Sequence, residues 1–473
     1  MDKDLCARQQ ARELARQAEA AQKTLDSFDQ QKLDGIVQAI SRAFYDQAGR
    51  LAELACRETG FGNVTDKTVK NQFAARQVWQ AIQHLPTVGV LREDKEKKLW
   101  DVGVPVGVIA AIVPSTNPTS TVCYKAMIAL KAGCAIVFSP HPSAAECTLA
   151  AARLAAQAAE QAGCPKGAIG CLEQVSMEAT EELMKCPQTR LILATGGPGM
   201  VRSAYSSGKP AIGVGAGNGP AYIHHSANLR QAVADIIRSK TFDYGTVCAS
   251  EQSILVERPM AQAVQQELQA QGAYFLTDDE SRQVAQVLFR PDGRLSAQVV
   301  GRRAADVAAL AGLRLPENTK VLIARETGIG RGNPYSWEKL CPVLAFYVEQ
   351  DEDACLERAI SILHQEGAGH SFMMHACDES VIRRFALRVP VSRFLVNTPG
   401  ALGGIGASTN LFPALTLGCG AVGGSSSSNN IGPLDLINIR RVAWGTKQDE
   451  RPAISLDEDM ITALTAEILK KLL

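Results

Sequence analysis

Short apolar runs alternate with helix-favouring, alanine-rich segments through much of this 473-residue chain. The first apolar runs lie at residues 107–113, 135–138, 167–172 and 191–194, and the helical segments at 120–132, 144–162 and 177–185. This alternation predicts a mainly parallel sheet with crossover helices, as in an open α/β dinucleotide-binding lobe. The pattern restarts near residue 220 and continues to about residue 424, which predicts a second α/β lobe.

Three further segments depart from this alternation. Residues 5–59 are rich in Ala, Gln, Arg, Leu and Glu, with apolar positions spaced for two or three amphipathic helices. Residues 88–91 and 99–102 read as two strands that flank a charged turn at 92–98. A polar stretch at 446–453 predicts a linker, and residues 456–473 predict an amphipathic helix. That helix either packs on its own subunit or docks on another surface, and the pattern leaves both readings open.

Charge and cysteine usage narrow the class of function. Forty-nine basic residues balance forty-nine acidic ones, so nothing indicates binding to nucleic acid or to an anionic membrane, and a small-molecule partner is expected. The thirteen cysteines are scattered and form no zinc-binding pattern, which predicts a reducing compartment and no structural metal. No export signal or membrane anchor is apparent, because the longest apolar stretch, residues 102–113, contains Pro105 and is too short to span a bilayer. We therefore expect a cytoplasmic protein.

Cys248 is the candidate nucleophile. It stands between a glycine turn and small residues in Thr241-Phe-Asp-Tyr-Gly-Thr-Val-Cys-Ala-Ser-Glu-Gln252. A thiolate that attacks a carbonyl needs a donor for the developing oxyanion, and Asn117, on a turn after a predicted buried strand, could supply it. Taken alone, a cysteine among small residues is more often a buried apolar group.

Two glycine-rich segments could bring the backbone close to a cofactor. Residues 193–200 follow an apolar strand, where N–H groups that open a helix could approach a pyrophosphate or a ribose, although a plain turn fits equally well. Residues 210–220 suggest a second close approach at the boundary between the two lobes.

Six segments, in this order, carry a family resemblance. They are Val113-Pro-Ser-Thr-Asn-Pro-Thr-Ser-Thr121, Phe138-Ser-Pro-His-Pro142, Leu193-Ala-Thr-Gly-Gly-Pro-Gly199, Tyr205-Ser-Ser-Gly-Lys-Pro-Ala-Ile-Gly-Val-Gly-Ala-Gly-Asn218, Lys240-Thr-Phe-Asp-Tyr-Gly-Thr-Val-Cys-Ala-Ser-Glu-Gln252 and Glu338-Lys-Leu-Cys-Pro-Val343. Together they resemble the aldehyde dehydrogenase superfamily, specifically its CoA-acylating branch, which includes the aldehyde dehydrogenase half of bifunctional aldehyde/alcohol dehydrogenases. The resemblance covers nearly the whole chain and ends near residue 445.

The resemblance implies an α/β fold with a Rossmann-type cofactor domain, an α/β catalytic domain and a β-hairpin oligomerisation arm. The corresponding segments are 1–87 and 105–216 for the dinucleotide-binding domain, 217–428 for the catalytic domain with Cys248, 88–104 and 432–445 for the arm, and 446–473 for the linker and tail helix. No alcohol dehydrogenase domain is expected after residue 445, so the aldehyde would come from another enzyme.

The resemblance also implies residue roles. Cys248 would add to an aldehyde, with the oxyanion held by the Asn117 side chain and the Cys248 N–H, and hydride transfer to the nicotinamide would leave a thioester. Residues expected along the cofactor are Pro114, Ser115, Ser139, His141, Thr195, Gly196, Gly197, Gly215 and Glu338. Glu338 would hold the nicotinamide ribose, and the alternative for Glu338 is an ordinary surface carboxylate.

Two departures from hydrolytic relatives refine the expected reaction. Val214 stands where those enzymes carry the glutamate that activates water, so the acyl group is expected to leave on the thiol of coenzyme A. Ser139 and Pro142 stand where hydrolytic relatives carry the lysine and the glutamate that hold the adenosine ribose, which suits a site used in turn by NAD and by CoA, and His141 between them could contact a ribose hydroxyl or a phosphate. NAD is the expected cofactor, NADP stays open, and a structural hydrogen bond is the alternative for His141.

Three residues are assigned more weakly to the substrate or CoA side. His370 lies near the expected catalytic lobe, where a structural hydrogen bond is its alternative role. Thr398 belongs to a glycine-rich segment, residues 397–406, that could line the aldehyde entrance. Val214 completes this group.

The expected activity is the reversible conversion of a short aldehyde, CoA and NAD+ to acyl-CoA and NADH, with acetaldehyde first and propionaldehyde second. The alternatives are a hydrolytic aldehyde dehydrogenase, with His370 as its base, and an inactive scaffold subunit. The resemblance implies a homodimer or homotetramer joined through the hairpin and a late strand near residues 438–444. It also likens the tail helix to the peptides that recruit enzymes into bacterial microcompartments, where the enzyme would then reside.

Overall fold

The computed structural model describes residues 3–291, 293–446 and 457–473. Nearly all of the linker predicted at 446–453 lies outside the described residues. The helices are α1 Lys3–Leu25, α2 Gln30–Asp46, α3 Ala48–Thr59, α4 Val64–Gln72, α5 Val78–Ile82, α6 Pro118–Lys131, α7 Ala145–Gln161, α8 Met177–Lys185, α9 Pro198–Tyr205, α10 Leu229–Thr241, α11 Ala261–Ala270, α12 Asp278–Leu288, α13 Ala304–Leu310, α14 Glu352–Gln365, α15 Glu379–Ala386, α16 Gly400–Gly404 and α17 Glu458–Leu472.

The strands are β1 Gly89–Asp94, β2 Leu99–Pro105, β3 Val108–Ile112, β4 Ile136–Ser139, β5 Ile169–Cys171, β6 Thr189–Thr195, β7 Ala211–Val214, β8 Gly219–Ile223, β9 Glu251–Glu257, β10 Ala273–Phe275, β11 Val321–Arg325, β12 Val343–Glu349, β13 Gly369–His375, β14 Val391–Val396 and β15 Ile437–Ala443. They form three sheets, two parallel and one antiparallel.

The first parallel sheet has the strand order β5-β4-β3-β6-β7. Every residue of β3 and β4 is buried, because helices cover both faces of such a sheet. The chain leaves β3 toward β4 on one side and reaches β6 on the other, so the order reverses between β3 and β6. In open α/β sheets, ligands bind beyond the carboxyl ends of the strands at such a reversal.

The second parallel sheet has the order β10-β11-β12-β9-β8-β13-β14. Its central strands β8 and β9 are almost wholly buried, and β9 begins with three buried polar residues, Glu251, Gln252 and Ser253, before its apolar part. The segment that carries Cys248 runs into the start of β9, and residues 215–218 join β7 of the first sheet to β8 of the second. The amino-terminal edge of this sheet therefore lies beside the carboxyl edge of the first one.

The third sheet is antiparallel, in the order β1-β2-β15. The predicted pair of strands is confirmed, but β1 continues through Asp94, with Glu93 paired to Trp100 and Asp94 to Leu99, so the charged turn is shorter than the predicted 92–98. β15 adds to the other edge of β2, and Trp100 on β2 meets Trp444 edge to face with ring centroids 5.0 Å apart. The predicted α/β architecture with a hairpin arm is thus observed, whereas the domain boundaries stay predictions.

The core of the first sheet is completed by residues from far along the chain. Helix α6 is buried over its whole length, and the Tyr124 hydroxyl on it donates to the carbonyl oxygen of Ile431. The Val106 N–H donates to the Leu436 oxygen at 3.3 Å, and Ile437 belongs to the same apolar cluster as the amino-terminal helices. Residues near both ends of the chain therefore share one hydrophobic core.

The tail helix α17 has no covered face. Each of its residues is exposed, including Ile461, Leu464 and Ile468, whose apolar side chains are about half exposed. The sequence left two alternatives for this helix, packing on its own subunit or docking on another surface. In the structure α17 does not pack on the described residues of its own subunit. Among the described residues, no helix combines the length and apolar character needed to cross a membrane.

Candidate active site

A cavity of about 230 Å³ lies between the carboxyl edge of the first sheet and the amino-terminal edge of the second. Eleven of the predicted site residues line it: Pro114, Ser115, Asn117, His141, Thr195, Gly196, Gly197, Val214, Gly215, Cys248 and Glu338. These residues come from the ends of β3, β4, β6 and β7 and from the segments before β9 and β12. The structure thus gathers into one place residues that are up to 224 positions apart in the sequence.

Cys248 lies on a tight turn between the 3₁₀ turn Phe242–Gly245 and strand β9. Asp243 and Tyr244 both adopt left-handed backbone conformations, with φ of 48° and 53°, which is uncommon outside glycine. Gly217 packs directly against this turn, and a Cβ at that position would lie 1.9 Å from the Cys248 carbonyl oxygen. The close approach explains why a glycine is needed at 217.

The Cys248 thiol is held in its protonated form. Burial raises its pKa to about 12, and the nearby Glu338 carboxylate raises it further than Cys419 does. Arg393 opposes these effects more weakly. A thiol in this state is a poor nucleophile until a partner or a bound ligand changes its surroundings.

Asn117 is the residue immediately before helix α6, and Pro118 is the first residue of that helix. An asparagine at this position usually accepts a hydrogen bond from the first turn of its own helix, but here the side chain makes no such bond. Its Oδ1 accepts instead from the Lys70 ammonium, and its Nδ2 donates to Thr116 Oγ1 at 3.1 Å. The amide is therefore available to the cavity and not to the helix.

Lys70 also lines the cavity, and sequence reasoning missed it. Burial lowers its pKa to about 8, and the pairing with Asp243 raises it in part. One sequence pattern could have identified Lys70: it lies three residues after Lys67, on the same face of a helix. Charged residues at that spacing are more often solvent-exposed, so the pattern alone does not indicate a site.

Glu338 is partly buried and is not an ordinary surface carboxylate. Its Oε1 accepts from the Gly217 N–H at 2.9 Å, and its own N–H donates to Glu366 Oε2 at 2.7 Å. Burial and then the Glu366 carboxylate raise the pKa of Glu338 to about 8. Near neutral pH this group is therefore mostly protonated, with a hydrogen that it can donate.

The glycine-rich turn after β6 leaves room for a ligand. Helix α9 begins at Pro198, and no side chain caps its first turn. A Cβ added at Gly197 or at Gly215 would meet no atom within 4 Å, so both positions face open space. Exposed N–H groups at a helix start suit a phosphate or a ribose, so this cradle fits a dinucleotide.

His141 lies at the cavity rim, in the short turn after β4. Its Nδ1 accepts from the Ser143 N–H at 3.2 Å, which leaves the proton on Nε2. Burial lowers the pKa of His141, so the ring is neutral near pH 7 and can donate through Nε2.

The structure does not bring three of the predicted residues to the cavity wall. Ser139 is buried and bonds to Thr180 Oγ1 at 2.8 Å. Thr398 is buried and bonds to Ser408 Oγ at 2.6 Å. His370 is wholly buried in β13 with its Nδ1 3.0 Å from Ser371 Oγ, and burial lowers its pKa to about 3. A ring with so low a pKa is a weak base.

Two larger cavities adjoin the first one. They measure about 490 and 630 Å³, and Pro198 and Ala216 line all three. Arg202 lines both of the larger cavities, where it could face an anionic ligand. The combined space would accommodate a nucleotide cofactor much larger than a small aldehyde.

Comparison with known proteins identifies similar sequences and structures. Residues 2–287 match the model of the Aldehyde dehydrogenase family. A bifunctional aldehyde-alcohol dehydrogenase, AdhE, of Escherichia coli is 44% identical over 435 residues, which are 91% of this chain and 49% of the relative. The chain therefore spans about half the length of that curated relative.

Three solved structures extend the comparison. An acetylating aldehyde dehydrogenase from Geobacillus thermoglucosidasius is 50% identical, with a TM-score of 0.93 over 94% of this chain and 99% of that one. A propionaldehyde dehydrogenase from the Clostridium phytofermentans fucose utilisation bacterial microcompartment is 26% identical, with a TM-score of 0.83 over 92% and 98% of the two chains. A Rhodopseudomonas palustris propionaldehyde dehydrogenase with bound propionyl-CoA is also 26% identical, with a TM-score of 0.85 over 92% and 94%.

Proposed function

Because the chain belongs to the aldehyde dehydrogenase family, we propose that it is an NAD-dependent, CoA-acylating dehydrogenase of short aldehydes. Acetaldehyde is the first candidate substrate and propionaldehyde the second. The observation that carries the acylating assignment is Val214, a buried apolar residue at the wall of the Cys248 cavity. Hydrolytic members have at this point the glutamate that activates water.

The residues would divide the reaction between them. The Cys248 thiol loses its proton to solvent, its sulfur adds to the aldehyde carbon, the carbonyl π electrons move to oxygen, and the Asn117 Nδ2 and the Cys248 N–H hold that oxyanion. Bound NAD+ supplies the hydride acceptor, which leaves the oxidised acyl group on Cys248 as a thioester. The thiolate of CoA then forms a bond to the acyl carbon, and Cys248 leaves as a thiolate.

Two residues favour this sequence of steps. Glu338, with its hydrogen on the carboxyl group near pH 7, can bond a ribose hydroxyl without placing a negative charge beside the thiolate. Val214 gives water no base at the position where hydrolytic relatives have one. The thioester would therefore persist until CoA arrives through the adjoining cavities.

The test is an aldehyde panel with NAD and CoA, following NADH by absorbance and acyl-CoA by mass. Without CoA we expect at most one NADH per active site, because the acyl group stays on Cys248. Cys248→Ala should abolish NADH formation, and Cys377→Ala, at an exposed cysteine, should retain it. Steady release of a carboxylic acid without CoA would refute the acylating assignment and support the hydrolytic one.

The exposed tail helix and the hairpin sheet support two proposals about assembly. We assign the apolar face of α17, formed by Ile461, Leu464, Ile468 and Leu472, to docking in a bacterial microcompartment.

We assign the edge of the β1-β2-β15 sheet to a homodimer or homotetramer contact. Removal of residues 457–473 should abolish co-sedimentation with the shell and leave the oligomer mass, measured by light scattering, lower only by the mass removed.

A further inference from the structure

Two lysines and an aspartate form a buried ion cluster next to the cavity. The side chains of Lys67, Lys70 and Asp243 are 3%, 2% and 0% exposed. Both ammonium groups pair with Asp243 Oδ2, Lys67 at 2.9 Å, and Thr246 Oγ1 donates to the same oxygen at 2.6 Å. Among the buried groups one carboxylate thus meets two cations, an excess of one positive charge, and the partly buried Asp66, which accepts from the Asp243 N–H at 2.7 Å, offsets part of it. Burial of an excess charge is costly, which suggests that the charge has a use.

Both lysines of the cluster also donate hydrogen bonds to the turn that contains Thr116 and Asn117. Lys70 donates to Asn117 Oδ1, whereas Lys67 donates to the backbone oxygen of Thr116 at 3.0 Å. Asp243 anchors both lysines and is itself fixed, because it accepts from the Asn63 N–H at 2.9 Å. Gly62 leaves space for this carboxylate, since a Cβ there would lie 1.8 Å from Asp243 Oδ1.

The Lys70 ammonium group fixes the orientation of the Asn117 side-chain amide. An amide can be turned by 180° with little change in shape, but lysine has only donors and can bond only to the oxygen. With Oδ1 held by Lys70, Nδ2 lies on the other side of the amide. One N–H of Nδ2 donates to Thr116 Oγ1, and the second has no acceptor among the described residues 3–291, 293–446 and 457–473. This N–H is free to meet an oxyanion.

We propose that Lys70 is a positioning residue that locks the Asn117 amide with Nδ2 toward Cys248 and strengthens its N–H as an oxyanion donor. The inference rests on the proposed chemistry at Cys248. Lys70 need not touch the substrate, because it acts through the Asn117 oxygen. A cation on the amide oxygen draws electron density from the nitrogen and makes its hydrogens better donors.

The experiment is a double-mutant cycle on the first-turnover burst of NADH, with aldehyde and NAD and without CoA. Asn117→Ala should slow the burst by about 10²- to 10³-fold, as loss of one oxyanion donor does elsewhere. Lys70→Met should slow it about tenfold or more, and the double variant should be no slower than Asn117→Ala within about twofold. Lys70→Gln, whose amide can still donate to Oδ1, should recover part of the rate.

Lys67→Met is the matched control, because it removes the same charge from the same carboxylate without touching the Asn117 side chain. Its effect on the burst should couple with that of Asn117→Ala much less than the effect of Lys70→Met does, because Lys67 reaches only the Thr116 backbone oxygen and not the Asn117 amide. Burst amplitude gives the fraction of folded enzyme, so a variant that only folds poorly loses amplitude and keeps its rate. If the losses from Lys70→Met and Asn117→Ala multiply, or if Lys67→Met couples as strongly, the inference is wrong.

The burst also separates this inference from the proposed function. It measures thioester formation, which precedes the choice between CoA and water. Wild type that forms steady carboxylate would refute acyl transfer to CoA and leave the cycle valid. Wild type with a normal burst and a Lys70→Met variant equal to it would refute the role of Lys70 alone.

Discussion

A plot of the log rate of Cys248 alkylation against pH should bend near pH 8, where Glu338 loses its proton. The pKa of about 12 for Cys248 includes the effect of the Glu338 charge, so with Glu338 ionised at pH 9 a fraction of about 10⁻³ is thiolate, and this fraction rises tenfold per pH unit. Glu338, with a pKa of about 8, is neutral below that pH and negative above it. Its charge then opposes the thiolate, so the slope of log rate against pH should fall below one near pH 8.

Glu338→Gln should remove this bend. Below pH 8 the variant should react at the wild-type rate, because both side chains are neutral there. Above pH 9 the variant should react faster than wild type by up to about tenfold. A nearby like charge raises the pKa of the thiol by about one unit, which lowers the thiolate fraction about tenfold. Glu366→Gln removes the charge that, after burial, most raises the pKa of Glu338, so in that variant the bend should move to lower pH.

The assay is alkylation by iodoacetamide from pH 7 to pH 10, with the peptide that contains Cys248 quantified by mass. Cys377 is exposed and serves as an internal control for the reagent. A plateau in the wild-type rate above pH 8 would mean a thiol already ionised there, which contradicts the raised pKa. Parallel curves for wild type and Glu338→Gln across the whole range would show that the carboxylate does not act on the thiol.

Three further predictions follow from the cavity and the tail. Gly217→Ala should lower the free energy of unfolding in urea by about 1–3 kcal/mol, because its Cβ would overlap the Cys248 carbonyl, and Gly215→Ala, which meets nothing, should not. Val214→Glu should convert aldehyde to acid steadily without CoA, at a rate at least about tenfold above that of the control Val214→Gln. If folded Val214→Glu enzyme gives only a burst of NADH, the role assigned to Val214 is wrong. Removal of residues 457–473 should change the unfolding free energy by less than about 0.5 kcal/mol and leave kcat unaltered, since this helix is exposed throughout, and a larger loss would mean that it packs on the enzyme.

The fold was predictable where local pattern and topology agree. Continuous apolar runs such as β3 and β4 are buried on both faces, and the alternation with helices fixes their parallel pairing. The return of β15 to the edge of β2 was expected only through family resemblance. No local pattern encodes the pairing of two strands more than 300 residues apart.

The site was predictable where its residues follow strand ends. Asn117, Thr195 and Val214 lie at the carboxyl edge of one sheet, as their places in the sequence imply. Lys70 was not predictable, because its burial depends on Asp243, which meets it only in the folded chain. For His370 the sequence left a ligand role and a structural hydrogen bond open, because a histidine within a strand gives no sign of which cavity its ring reaches, and the structure places it outside the wall of the Cys248 cavity with a hydrogen bond to Ser371.

The shared core at the two ends of the chain has a consequence for biosynthesis. The first sheet has all its strands once Val214 is made, yet its core still lacks Ile431, Leu436 and Ile437, about 220 residues later. At about 5–20 residues per second a ribosome needs roughly 10–45 s to supply them. During that interval the nascent cofactor lobe exposes the apolar surface that these residues later cover, so it should bind holdase chaperones and be cut by proteases until the last strand is delivered.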